Sequence, residues 1–112
     1  MHKRFRLTHR TQFDAVFRES RKMAIPGFLL FARPNGLVTP RLGFVFSKKN
    51  LRHACLRNRV KRIFRESFRQ QASVPVDVVA LAKTPMHIVE NASLRLNLEK
   101  VWKKLNTCYA PL

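Results

Sequence analysis

The order and periodicity of its apolar residues place this chain in the α+β class. They describe an α/β sandwich in which three helices pack on a small mixed β-sheet, in the order α-β-β-α-β-α. Three observations predict it. Apolar residues recur at helical spacing over residues 54–70 and again from about residue 91. They alternate over residues 41–48 and run almost unbroken over residues 76–83, as strands do. Proline and glycine signals stand between these segments. The length suits one domain, residues 1–112, with a modest core.

Each element has its own reason. Residues 8–18 read as a first helix, with Thr11 and Asp14 in a capping arrangement and Phe13, Val16 and Phe17 on one face. Residues 20–26 read as a connector with a short extended piece, ending at Pro26. Residues 27–33 are a strand candidate, followed by the turn signal Pro34-Asn35-Gly36. Residues 41–48 form the second strand, with Leu42, Phe44 and Phe46 on one side, and the two strands read as a hairpin-like pair. After a long helix and Pro75, the run Val78-Val79-Ala80-Leu81-Ala82 marks a buried strand that ends at Thr84-Pro85. Asn91 or Ser93 is placed to cap a last helix, whose stripe is Leu94, Leu98, Val101, Trp102 and Leu105. Lys100, Lys103 and Lys104 cluster toward its C-terminal end, where the helix dipole favours cations. Strand 41–48, the long helix and strand 76–83 suit a parallel crossover, right-handed by the general rule.

The long helix carries the functional signal. Leu56, Val60, Ile63, Phe64 and Phe68 fall in a sector of roughly 140° at about 100° per residue. Asn58, Arg59, Lys61, Arg62, Arg65 and Arg69 sweep round the other side, interrupted only by Glu66. A solvated helix face normally mixes signs; a nearly all-positive one repels itself unless a polyanion neutralises it. Guanidinium forks bind phosphate oxygens in bidentate fashion. The whole chain agrees: 23 Lys and Arg against 6 Asp and Glu give a formal charge of +17 and a pI near 11.6, a nucleic-acid footprint. With 46% hydrophobic residues and nine Phe, the chain is not a disordered basic tail.

Several function classes drop out. The acids Asp14, Glu19, Glu66, Asp77, Glu90 and Glu99 show no metal-ligand spacing, and the four His are dispersed, so an autonomous nuclease site is not expected. Glu66 suits helical pairing with Arg62 or Arg69. Cys55 and Cys108 form no metal or redox motif and are expected to be small buried hydrophobes in a reducing compartment. No apolar run approaches the roughly 20 residues of a membrane span, and the basic N-terminus lacks a secretory apolar region, so the cytoplasm is expected. No helix-turn-helix or minor-groove wedge pattern favours duplex DNA. A binding protein that assists another catalyst fits these residues.

At this point the residues resemble a known family. Arg57-Asn58-Arg59-Val60-Lys61-Arg62, followed by Arg65 and Phe68, resembles the signature helix of the protein subunit of bacterial ribonuclease P. Phe13 and Phe17, Arg41-Leu42-Gly43-Phe44 leading to Ser47-Lys48-Lys49, and the segment from Val76 through Asp77 to Lys83 occur in the family's order, so the resemblance runs from about Arg6 to Leu105. It implies a holoenzyme whose large RNA is the catalyst and removes the 5′ leader of precursor tRNA, with Mg²⁺ held mainly by RNA and substrate phosphates. It implies a left-handed crossover around the basic helix, against the general rule. It implies two surfaces. One is the basic helix, with Arg57, Asn58, Arg59, Lys61, Arg62 and Arg65 on the catalytic RNA and the substrate, supported by Arg6, Lys48, Lys49 and Arg52. The other is a cleft between the first helix and the sheet, lined by Phe13, Phe17, Leu29 and Phe31, for the single-stranded leader. Rings that stack on any base and guanidinium groups that track the backbone suit such sequence-tolerant binding. From periodicity alone Phe13 and Phe17 are core-packing residues; the resemblance assigns at least one ring to the leader. The alternative is a small basic ribosomal or RNA-chaperone protein without a role in cleavage.

Overall fold

In the computed structural model, the residues described are Phe13, Asp14, Val16, Arg18 and residues 20–109. Their elements are β1 (Arg21–Ile25), β2 (Phe28–Pro34), β3 (Arg41–Val45), α1 (Ala54–Gln71), β4 (Val76–Ala82) and α2 (Asn91–Cys108). The expected count of three helices on a sheet, in the order α-β-β-α-β-α, is therefore corrected. The described elements are two helices and a four-stranded mixed sheet, in the order β-β-β-α-β-α. The α+β class holds. Most of the helix expected over residues 8–18, Thr11 and Phe17 included, lies outside the described residues; Phe13, Asp14, Val16 and Arg18 have helical backbone.

The strand not foreseen is β1. Only Met23 and Ile25 point inward from it, too few for a clear alternation. It pairs antiparallel with β2 through the two-residue reversal Pro26-Gly27. Proline presets the first turn position, and Gly27, at φ 83°, takes the left-handed region that such a turn demands of the second. Gly27 also lies against Met86: a Cβ there would stand 2.5 Å from the Met86 sulfur.

The sheet order is β1-β2-β4-β3. The expected hairpin of residues 27–33 with 41–48 does not form, because β4 inserts between them, antiparallel to β2 and parallel to β3. The β3 strand is also shorter than expected, since the Ser47 carbonyl turns back to accept the amides of Asn50 (3.2 Å) and Leu51 (3.0 Å). Being central, β4 is covered on both faces, which explains the apolar run Val78–Ala82 that follows Asp77.

Both helices pack on one face of the sheet. Val76, Val78, Ala80 and Ala82 of β4, with Phe28, Leu30 and Ala32 of β2, meet the apolar stripes of α1 and α2. Those stripes are the residues that periodicity picks out, with Ser67 added on α1. Phe64 meets Phe28 edge to face at 5.2 Å, and Phe68 meets Trp102 at the same distance. Ser67 is buried because its hydroxyl accepts the Trp102 indole N–H at 2.7 Å, which ties α2 to α1. Asn106 closes the far end of α1, donating to the Gln71 carbonyl (2.7 Å) and accepting the Ser73 amide (3.0 Å).

Two smaller expectations are overturned. Neither Asn91 nor Ser93 caps α2: its N-cap is Glu90, without a side-chain hydrogen bond. Both cysteines are exposed rather than buried, Cys55 on the solvent side of the first turn of α1 and Cys108 at the end of α2, where its sulfur accepts from Arg21.

Candidate nucleic-acid interface

The apolar stripe of α1 fixes which way every cation on the helix points. With Leu56, Val60, Ile63, Phe64 and Phe68 committed to the sheet and α2, the basic residues have only the flanks and the outer face. They divide into three groups with different surroundings.

Arg57 and Arg59 reach back to the polypeptide. Arg57 Nη1 donates to the carbonyl oxygens of Leu51 (2.8 Å) and Arg52 (3.0 Å), so it pins the loop that carries the exposed Lys48, Lys49 and Arg52. Arg59 Nη1 donates to the Val89 carbonyl (2.8 Å) and to Asn91 Oδ1, fastening the entry of α2 to α1. Asn50 joins the two loops: its side chain donates to the Ala82 carbonyl and its own carbonyl accepts the Met86 amide, both at 2.8 Å. No acidic side chain is used in any of these contacts.

Lys61 and Arg65, one helical turn apart, lean over Phe44 of β3. The ammonium is 6.0 Å and the guanidinium 5.3 Å from the ring centroid, within cation–π range. Burial pushes the Lys61 pKa below the ordinary lysine value, and the charges of Arg65 and Arg57 push it further the same way. The site thus holds positive charge against its own repulsion. A bound phosphate relieves that repulsion.

The third group faces outward. Asn58, Arg62 and Arg69 are exposed, and Arg62 approaches Glu66 at 3.9 Å, the pairing expected from helical spacing. Arg69, the other expected partner of Glu66, makes no ion pair among the described residues; Arg95 of α2 takes that place, at 3.8 Å.

Of the residues assigned to a cleft, Phe13, Leu29 and Phe31 lie on the opposite face of the sheet. Phe13 and Phe31 pack around the buried pair Val16 and Val79, with Phe31 opposite Val79 in the β2–β4 register. Leu29 shares this face, opposite Leu81 of β4 and Ala24 of β1. Phe17 and Arg6 lie outside the described residues. At one end of this face, Asp77 accepts a fork from Arg41, Nε to Oδ1 at 2.8 Å and Nη2 to Oδ2 at 2.7 Å, and a further bond from Asn35 at 3.0 Å. The Asp77 hydrogen bond holds the Arg41 guanidinium pKa above its ordinary value, against a smaller opposing effect of burial. At the other end, Leu29 and Leu81 lie near where β3 runs out toward the basic loop.

The two assigned surfaces are therefore separate layers that meet around the β3 edge. Sequence reasoning reads Phe44 only as a strand residue, on one face with Leu42 and Phe46; the crossover brings it under Lys61 and Arg65. Among the described residues, no three of His, Cys, Asp and Glu gather as metal ligands, and no helix is long and apolar enough to cross a membrane.

The comparisons agree with one another. The family model described as Ribonuclease P matches residues 1–106. A ribonuclease P protein component from Chromohalobacter salexigens is 45% identical over 106 residues, covering 92% of this chain and 83% of that protein. The solved ribonuclease P protein of Thermotoga maritima has a TM-score of 0.75 at 28% identity, covering 88% of this chain and 96% of that one. A mutant of the Staphylococcus aureus protein, described as defective in mRNA degradation activity, reaches 0.81 at 27% identity, covering 93% and 90%.

Proposed function

The chain belongs to the ribonuclease P protein family, and from that premise we propose how its surfaces serve the enzyme. Its role is that of the protein subunit of a bacterial ribonuclease P, part of an endoribonuclease complex with an RNA partner, rather than of a ribosomal or chaperone protein.

The finer reading is as follows. A catalytic RNA cuts precursor tRNA at the mature 5′ end, and the protein supplies charge and grip. Mg²⁺ would be held mainly by RNA and substrate phosphates, and would supply the activation of water for the hydrolysis. The basic face of α1 lowers the repulsion between phosphate backbones that must approach each other, a task that Mg²⁺ performs alone only at high concentration. The single-stranded leader lies along the face bearing Phe13, Leu29 and Phe31. Aromatic and apolar side chains there accept any base, and the nearby Lys48, Lys49 and Arg52 track its phosphates. The enzyme works in the cytoplasm, where precursor tRNA is made.

The observation that carries this reading is the arrangement of Lys61 and Arg65 over Phe44, flanked by Arg57 and Arg62, on a helix with one acid. The test is reconstitution with a bacterial ribonuclease P RNA and a precursor tRNA at low Mg²⁺, where the RNA alone is nearly inactive. Cleavage at the mature 5′ end only with both components present is the expected result. Absence of stimulation by a folded protein, with the RNA active at high Mg²⁺, refutes it. The leader face is tested separately. Phe31→Ala weakens precursor tRNA binding more than mature tRNA binding, by about 1–3 kcal/mol for one lost stack. Equal weakening of both would make Phe31 a packing residue.

A further inference from the structure

The basic surface of the signature helix continues into the groove between the two helices, where residues beyond the signature join it. Arg62, Arg65 and Arg69 follow one another along α1 and, with Glu66, wall an open cavity of about 200 Å³. Arg95 of α2 reaches Glu66 Oε2 from across the groove. The two ion pairs here, 3.9 Å to Arg62 and 3.8 Å to Arg95, are longer than hydrogen bonds, so Glu66 attracts both guanidinium groups without engaging their N–H donors closely. The Arg62 and Arg95 side chains remain 65% and 53% exposed. Four arginines around one carboxylate leave a local charge of +3 (four minus one).

We propose that this cavity seats one backbone phosphate of the RNA partner, with Arg62, Arg69 and Arg95 as donors, so that the RNA-binding surface continues from α1 onto α2. The inference rests on the RNA-binding reading above and extends it from the signature residues to Arg69 on the same helix and Arg95 on α2. Geometry selects phosphate over a carboxylate partner. A planar carboxylate accepts in one plane, and the one already present, Glu66, meets neither fork at bonding distance. A phosphate turns oxygens in several directions and can accept from forks on two helices at once. Surface pairs of this length add little to stability, so pairing with Glu66 is not what holds Arg62 and Arg95 here.

The test is a salt titration of the full chain binding a bacterial ribonuclease P RNA, on wild type and on Arg69→Gln, Arg95→Gln and Lys61→Gln. Lys61 lies outside the seat. Loss of one phosphate contact flattens the slope of log K against log[salt] by about 0.7–0.9. The expected result is that loss for Arg69→Gln and for Arg95→Gln alike, with unfolding midpoints at the wild-type value because both side chains are exposed. A wild-type slope for both, with a flattened slope for Lys61→Gln, overturns the seat and leaves the RNA-binding reading standing. A wild-type slope for all three removes the reading itself, and the seat with it.

Discussion

The two halves of the basic helix use the same residue type for opposite purposes. Near its N-terminal end, Arg57 and Arg59 turn their guanidinium groups inward onto backbone carbonyls of the loop before α1 and the loop after β4. One turn and more further on, Arg62 and Arg69 are exposed to solvent and share a cavity wall with Arg65 and Glu66. A cation bonded to carbonyl oxygens keeps its full charge while its position is fixed. A solvated one keeps its charge and its freedom. The helix therefore presents a rigid positive end and an adaptable one, and the signature arginines are not equivalent.

Substitutions can break this contrast. The largest effect expected is on Arg59. Arg59→Met removes charge-assisted bonds to Val89 and Asn91 and lowers unfolding free energy by about 1.5–3 kcal/mol in urea titration. Arg57→Met costs less, about 1 kcal/mol, because its acceptors lie only 6 and 5 residues away in the loop leading into α1, whereas Arg59 joins segments 30 and 32 residues apart. Stability unchanged in both would mean that these arginines act on RNA alone. Arg62→Gln should do the reverse: unfolding free energy within about 0.5 kcal/mol of wild type, with a flatter salt dependence of RNA binding. A large loss of stability there would erase the distinction between the two halves.

The smallest effect concerns pH. Because the Lys61 pKa lies below the ordinary lysine value, this ammonium is the one that loses its proton at lower pH than an exposed lysine does. Its charged form is disfavoured in the folded protein, so its contribution to stability rises as pH climbs through its folded pKa toward the unfolded value. Its contribution to RNA affinity falls over the same alkaline range. Lys61→Arg should remove that alkaline decline in affinity, measured by binding titrations at matched ionic strength. An unchanged decline would place its origin elsewhere.

How much of this was legible in the sequence follows from what sets each feature. The stripes of α1 and α2 were legible because helical periodicity is local and each stripe has five apolar residues. So was β4, whose burial on both faces shows as an unbroken apolar run. The edge strand β1 was not, since two inward residues ending at Pro26 do not make a pattern. Nor was the separation of β2 from β3, because strand order is decided by the crossover rather than by neighbours in sequence. At the candidate site, the sequence marked one basic helix and could not rank its cations. The acceptors of Arg59 lie 30 and 32 residues away, and Val89 offers only a backbone carbonyl, which every residue has. Arg95 went unread because it sits alone on the polar side of α2, away from the lysine cluster near its end.

The hydrogen bond between Trp102 and Ser67 gives the molecule an optical handle. Trp102 is the chain's one tryptophan, fully buried, and its indole N–H touches the helix that carries the signature residues. Its emission wavelength therefore reports whether α1 stays seated on α2. A titration with RNA followed at tryptophan emission reads whether α1 stays seated on α2 as the two components mix, with no label to disturb either.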